Sequence, residues 1–404
     1  MKILVICQHY WPEPYPLPDV CEELVKRGHK VDIITDIPNY PMGETYPEYA
    51  NHQRRSEEHN GVNIIRTFTI PRRHNSMFRL LNYYSYAISS TMYAERLKED
   101  YDVVFTNQTS PVMMSSAAFA YAKKHHKKVV MYCMDLWPAC LAAGGLSENS
   151  PIYKFFGRVS KNLYTKADEI LISSQMFRDY LVRQHSVDKN KISYLPQYAA
   201  TQFETISPVF TNKETVILMF AGNVGAAQSL STVIEAADIL KEKKSLSWHI
   251  VGDGSELDNL KAMAASKGLT NVIFHGRKPP EEMPKYYAMA DAMLATLTSD
   301  PFISLTLPNK VQTYMAAGKP IIGSANGEIP QTIAEAQCGY CAKAEDAHGL
   351  AEAVQKFLQD KDKQKLGNNA KDFYLRYFTK TQFMDSLENV LKYSTLICSG
   401  TNSE

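Results

Sequence analysis

A lysine in the first turn of a helix can neutralise a phosphate, and the stretch Thr306-Leu307-Pro308-Asn309-Lys310 places one there. An apolar strand over 292–297 leads into it, Pro308 suits a helix start, and the short helix ends at Gly318 before a strand that begins at Ile321. Unpaired N–H groups and the positive end of the helix dipole gather at such a start, so with Lys310 they would hold a phosphate or diphosphate. An ordinary crossover with one solvated lysine has the same local signature, which makes the neighbouring loops decisive.

Three of those loops fall in equivalent places. Gly222-Asn223-Val224-Gly225 follows a strand over 215–221, Gly252-Asp253-Gly254 follows 247–251, and Gly276-Arg277 follows 271–275. Glycine lets a backbone approach a phosphate closely. The spacing is not G-x-G-x-x-G, so each loop alone is a weak sign. Four loops at the carboxyl edge of one parallel sheet are a nucleotide site.

The first half carries different chemistry. After the strand 3–7 comes a loop rich in proline and aromatics, with His9 and Glu13 as its chemical groups; both could equally be structural. Arg72, Arg73 and Arg79 lie beside Phe78, Leu80, Leu81 and three tyrosines, a mixture that fits an anionic bilayer or a lipid diphosphate, or else a core helix with a basic start. Asp135 stands just past the strand 128–133, where an aspartate faces a ligand crevice unless it caps the next segment. The run Lys123 to Lys128 complements a helix C-terminus and reads as a solvated face.

The elements that position these groups alternate strand and helix through both halves, the pattern of doubly wound α/β sheets. With 404 residues, 45% hydrophobic content and a net charge of +1, two globular domains are expected and a nucleic-acid partner is not. We expect residues 1–197 with a C-terminal helix from 380 to form one domain, 212–379 the other, and 198–211 a linker. The seven cysteines are odd in number and lie in apolar segments, as reduced thiols do; Cys338-Gly-Tyr-Cys341 falls between a helix and a strand, unlike a redox motif. No signal peptide or spanning segment is visible, so the chain is expected in the cytoplasm, working at the inner membrane face from its surface.

The motifs Lys26-Arg-Gly-His29, Pro38-Asn-Tyr-Pro41, Asp135-Leu-Trp-Pro138, Ala221-Gly-Asn-Val-Gly225, Val251-Gly-Asp-Gly254 and Tyr314-Met-Ala-Ala-Gly-Lys-Pro320 resemble those of the family 4 glycosyltransferases. These are retaining enzymes of the GT-B fold, and the likeness is to the bacterial transferases of capsule and O-antigen synthesis, including the N-acetyl-L-fucosaminyltransferase type. The resemblance implies two Rossmann-like domains facing across a cleft. The second would bind a nucleotide-sugar donor through Gly222, Asn223, Gly225, Gln228, Asp253, Arg277, Leu307, Pro308, Asn309 and Thr313. The first would hold a lipid-linked acceptor near His9, Glu13, Arg72 and Arg73.

Three departures stand against the family pattern. Asn223 and Gln228 occupy positions of a diphosphate-binding arginine and lysine, which shifts the cationic role to Lys310. The family's paired glutamates become Leu305 and Thr313, so either a single hydroxyl replaces a ribose-gripping carboxylate or that contact is lost or moved. Tyr15-Pro-Leu-Pro18 replaces the usual Gly-Gly of the first loop. The mechanism expected is electrostatic, with Lys310 and backbone amides stabilising the leaving phosphate and Asp135 orienting the sugar or acceptor. No metal or other cofactor is expected, because the D-x-D at Asp360 and Asp362 reads as charged helical surface. A sugar-nucleotide epimerase or hydrolase of the same fold, or a silent nucleotide-sugar-binding protein, is the alternative.

Overall fold

The computed structural model describes residues 1–51, 53–73, 76–207 and 214–399, side chains at 76 and 396–399 excepted. The chain divides into two compact units, Met1–Leu195 with Met384–Glu404, and Pro196–Phe383.

The first unit is built on eight strands: β1 (Lys2–Ile6), β2 (Lys30–Thr35), β3 (Ser56–His59), β4 (Val62–Arg66), β5 (Val103–Gln108), β6 (Val129–Cys133), β7 (Glu169–Ile172) and β8 (Ile192–Tyr194). They lie in the order β3-β4-β2-β1-β5-β6-β7-β8, all parallel except β3 against β4. Ile3 pairs with both Val31 and Val103, and β1 is buried from Ile3 onward, as a strand covered on both faces must be. The β3–β4 hairpin was not expected; it turns at Asn60-Gly61, both at positive φ, which a tight two-residue hairpin requires.

Helices α1 (Leu17–Lys26), α2 (Ser76–Arg96), α3 (Ser116–His125), α4 (Ala139–Ala143), α5 (Pro151–Lys166) and α6 (Phe177–His185) flank this sheet. Helix α2 buries Asn82, Tyr86, Ser90 and Ala94 along one face and exposes Met77, Leu81, Ile88 and Met92 along another. The helix is thus a core element on its Tyr86, Ala87 and Ala94 side and carries an exposed apolar stripe on another. Among the described residues no helix is long and apolar enough to cross a membrane.

The second unit's strands are β9 (Val216–Ala221), β10 (Leu246–Val251), β11 (Val272–Gly276), β12 (Ala292–Thr296), β13 (Ile321–Ser324) and β14 (Gly339–Ala342), in the parallel order β11-β10-β9-β12-β13-β14. Between and after them run α7 (Thr201–Glu204), α8 (Leu230–Ile239), α9 (Leu257–Ser266), α10 (Met283–Met289), α11 (Asn309–Ala316), α12 (Glu328–Ala336), α13 (Ala347–Gln359) and α14 (Lys363–Tyr377). Each face of the sheet carries its own core, one around Tyr314 and Met293, the other around Trp248 and Ile250.

The described part of the expected linker is packed rather than loose. Ala199 and Phe203 are buried in the second unit, Phe203 with its ring 4.6 Å from that of Tyr287, because an aromatic there has core to fill. Residues 208–211 of that stretch lie outside the described residues.

The C-terminal helix, Lys380–Ser399, belongs from Met384 onward to the first unit. Arg27 donates to Asp385 at 2.6 Å and to Glu388 at 3.1 Å, and His29 meets Glu388 at 3.0 Å. Lys392, then Arg27 and His29, hold the Glu388 carboxyl down at about 2. The Lys26-Arg-Gly-His29 motif thus anchors the chain's last helix.

The D-x-D pair is not inside a helix, as the charge run suggested. Asp360 closes α13 and accepts from Tyr340 at 2.6 Å, while Asp362 caps α14 through the Lys365 N–H. The described cysteines are all free thiols, and burial raises Cys338 to about 12 and Cys341 to about 11, values at which neither is a nucleophile near neutral pH.

Candidate functional site

The strand order of the second unit reverses between β9 and β12, and an open α/β sheet takes ligands beyond the carboxyl ends of its strands at such a point. Lys310, in the first turn of α11, reaches that place. A β-carbon on Gly222, which leaves β9 at φ +140°, would stand 3.4 Å from Lys310 Nζ. The Phe220 ring centroid is 4.1 Å from the same ammonium, and Gln228 Oε1 accepts its proton. Burial lowers the Lys310 pKa to about 7.

Buried Tyr314 fixes this geometry. Its hydroxyl accepts from Ala221 N at 3.3 Å and donates to Ala221 O at 3.2 Å, pinning α11 to the end of β9. Across the reversal, Thr296 Oγ1 donates to Gln228 O at 2.5 Å and Thr298 N to Ala227 O at 3.1 Å. Pro308 opens α11 with no side-chain cap, and the Asn309 amide oxygen beside it is buried without a hydrogen-bond partner. An uncapped helix start, an orphaned polar atom and an ammonium therefore share one edge.

Gly222, Gln228, Asn309 and Lys310 come together as the sequence suggested. Asn223 and Asp253 adjoin them, since Val224 N donates to Asp253 O at 2.9 Å, and Gly225 avoids a clash with the Asn223 amide that a β-carbon would make at 2.7 Å. Leu307 does not line a ligand wall: it is 1% exposed, an apolar side chain drawn into the core, and leaves only its backbone. Thr313 donates its hydroxyl back to the Asn309 carbonyl at 3.0 Å, so its lone pairs alone remain. Asp253 and Arg277 are exposed, Arg277 beyond the edge strand β11. Sequence reading passed over the loop after β13, where Gly327, at φ +73°, packs so close to Ser304 that a β-carbon would meet its carbonyl at 2.1 Å. A glycine just past an apolar strand was the available sign.

In the first unit the loops after β1, β2 and β6 carry the candidates. His9 Nδ1 meets Glu13 Oε2 at 2.8 Å, while Glu13 Oε1 accepts from the N–H groups of Asn39 and Tyr40, each at 2.6 Å. Glu13 is thus fully engaged, holding His9 and the loop after β2, and it offers an acceptor no free oxygen. Asp36 completes a buried polar set with Gln8 and Asn39; burial, and Glu13 after it, push its pKa well up. His9, Glu13 and Asp36 each place one potential metal ligand within 4.8 Å of the others, but hydrogen bonds already employ the same atoms.

The His9 ring stacks on Tyr15 at 4.9 Å and meets Tyr40 at 5.7 Å. Arg72 lies 5.7 Å from both the Tyr40 and Tyr83 rings, whereas Arg73 turns to Phe78 at 4.6 Å and is exposed. Asp135 accepts from Ser110 Oγ at 3.0 Å, and Ser110 in turn accepts from Trp137 Nε1 at 2.9 Å. Burial raises the Asp135 pKa. The tyrosines were missed as a platform because they come from three separate segments.

Residues 202–373 match the family described as glycosyl transferases group 1, and residues 18–198 match glycosyltransferase family 4. WcaI of Escherichia coli K12, a protein named for glycosyl transfer in colanic acid biosynthesis, is 24% identical over 89% of this chain and 92% of its own. WbjE of Pseudomonas aeruginosa, named a probable glycosyltransferase, is 26% identical over 57% of this chain and 60% of its own. Among solved structures, sucrose-phosphate synthase of Thermosynechococcus elongatus superposes with a TM-score of 0.75 at 18% identity, covering 98% of this chain and 99% of that one. Anabaena HepE with UDP-glucose does so at 0.69 and 14% identity, over 97% of this chain and 100% of its own. With both halves matched and two Rossmann-like α/β units in place, this chain belongs to the family 4 glycosyltransferases of the GT-B fold.

Proposed function

We propose that the protein is a retaining, metal-independent transferase acting at the inner face of the cell membrane in surface polysaccharide synthesis. It moves a sugar from a UDP-sugar, of the N-acetyl-L-fucosamine or N-acetylhexosamine kind, onto a saccharide carried on polyprenyl diphosphate. The observation that carries this reading is Lys310, an ammonium set against the bare backbone of Gly222 at an uncapped helix start. The UDP-glucose held by HepE and the polysaccharide for which WcaI is named support the donor class and the setting.

When the bond between the sugar's anomeric carbon and its phosphate oxygen breaks, negative charge develops on the leaving diphosphate. Lys310 and the N–H groups at the start of α11 and in the Gly222 loop stabilise that charge. The leaving phosphate oxygen then takes the acceptor hydroxyl's proton while the acceptor's oxygen forms the new bond to the anomeric carbon on the face the phosphate leaves. Asp135 orients the reacting groups through hydrogen bonds. Tyr15, Tyr40 and Tyr83 offer aromatic faces to a sugar ring, and Arg72 a guanidinium to a diphosphate.

A thermal-shift screen over UDP-, GDP- and ADP-sugars tests the donor, since a ligand of the folded state raises its melting temperature. UDP-sugars are expected to raise it, with UDP released only when a lipid-linked acceptor is added. Free UDP or an epimer from donor alone makes the protein a hydrolase or epimerase, and no shift with any UDP-sugar removes this donor.

A further inference from the structure

Beside the end of the loop after β6, whose Pro138 forms part of the wall, α5 and α6 line a pocket of about 320 Å³ in the first unit. Lys154, Arg158 and Lys161 line it from one side of α5, four and three residues apart. Lys161 is hydrogen-bonded to Ser186 Oγ at 3.0 Å, whereas Lys154 and Arg158 have no ion-pair partner among the described residues. Glu148, a carboxylate on the same wall, acts on Tyr153 and leaves the cations in excess.

Two features of the wall lack an internal explanation. His185 is 3% exposed, yet neither ring nitrogen makes a hydrogen bond; the Trp137 backbone is near enough to influence the ring but not in bonding geometry. A buried polar group without a partner is costly, and native proteins seldom keep one without reason. Gly157 sits in the middle of α5, where glycine is destabilising relative to alanine, although a β-carbon there would meet nothing within 4 Å. Packing does not demand that glycine. A side chain there would enter the open space of the pocket that Gly157 lines.

We propose that this pocket is a second binding site, for a phosphate-bearing ligand. Its phosphate sits between Lys154 and Arg158, accepts an N–H from the neutral His185 imidazole, and its organic part lies over Gly157. Burial lowers the His185 pKa to about 4, which keeps the ring a neutral donor while the site is empty. The site goes beyond the transferase reading and shares no side chain with it.

The test follows ring resonances by NMR in the full-length protein carrying labelled histidine. The protein is titrated with inorganic phosphate and glycerol 3-phosphate, then mixed with phosphatidylcholine vesicles with and without phosphatidylglycerol. Equilibrium dialysis against labelled phosphate reads the same binding without resonance assignment. A saturable response is expected, weakened roughly tenfold or more in the Lys154→Ala, Arg158→Ala double variant, because two charge-assisted contacts are lost. Both side chains are exposed, so the variant keeps its fold. A response to soluble phosphates assigns the ligand to free phosphate esters, and a response only to phosphatidylglycerol vesicles assigns it to a lipid headgroup. Silence with every probe, or an unchanged response in the double variant, overturns the site.

Discussion

Lys310 and Gln228 are paired: the Lys310 ammonium donates to the Gln228 amide oxygen, and the Gln228 carbonyl is itself tied to Thr296 at 2.5 Å. Gln228 stands where the family resemblance places a diphosphate-binding lysine. A second lysine beside Lys310 would repel it, whereas an amide can accept from the ammonium and release it to a phosphate. With Asn223 and Gln228 uncharged, Lys310 on α11 is the cation that this edge of the sheet offers beside the glycine loop.

Replacing Lys310 should disable transfer without unfolding the protein. Lys310→Met keeps an apolar contact with Phe220 but removes the cation that faces the leaving phosphate. We expect kcat/KM for donor to fall by about 10²–10³, the usual cost of removing one preorganised stabilising group. A donor-transfer assay with the purified variant checks it; turnover within a few-fold of the original would take Lys310 out of the mechanism.

The same lysine sets a pH dependence. Its ordinary pKa is 10.5 and burial brings it to about 7. Between those values the unfolded chain holds a proton that the folded chain has released. The Lys310 contribution to stability is thus least favourable below pH 7 and improves as pH rises towards 10.5. Melting temperature measured against pH should rise less steeply across this window in Lys310→Met. A donor diphosphate restores the charge, so binding above pH 7 takes up a proton. Calorimetry in buffers of different ionisation enthalpy should then give different heats.

Much of this site was visible in the order of residues because parallel strands write themselves as apolar runs. The loops after β9, β10, β11 and β12 fell at one sheet edge as expected, and Lys310 was there. Partners joined by tertiary contact were not visible. Tyr314 looked like one more residue of an amphipathic helix until its hydroxyl met both backbone atoms of Ala221. His9 and Glu13 are four apart, yet they lie in a loop whose turn, not a helix, brings them together. The hairpin at Asn60-Gly61 escaped because β3 is a short, polar edge strand whose alternation is too brief to register. Conversely, Leu307 was given a ligand-facing role by its place in a motif, and the core claimed its side chain.

Activity should survive chelation. Asp360 and Asp362 are employed as helix caps, and Glu13 and Asp36 already bond to protein N–H groups. Dialysis against EDTA, followed by the transfer assay in metal-free buffer, is expected to leave the rate unchanged. A loss restored by adding back one divalent ion would point to His9, Glu13 and Asp36, whose ligand atoms lie within 4.8 Å of one another.

Helix α2 offers the last test, of where the protein works. Met77, Leu81, Ile88 and Met92 form an exposed apolar stripe at helical spacing, with Arg72, Arg73 and Arg79 at its N-terminal end. The membrane setting proposed above would put this stripe in a bilayer interface, its apolar side among the acyl chains and its cations at anionic headgroups. Leu81→Glu with Ile88→Glu places two charges on that stripe without touching the buried face of Asn82, Tyr86 and Ser90. Sedimentation with vesicles containing phosphatidylglycerol should show roughly tenfold weaker binding, since desolvating two carboxylates opposes insertion. The melting temperature and the UDP-sugar shift should stay as they were, because neither side chain contributes to a core. Equal sedimentation of the variant and the original protein would mean that the stripe faces something other than lipid.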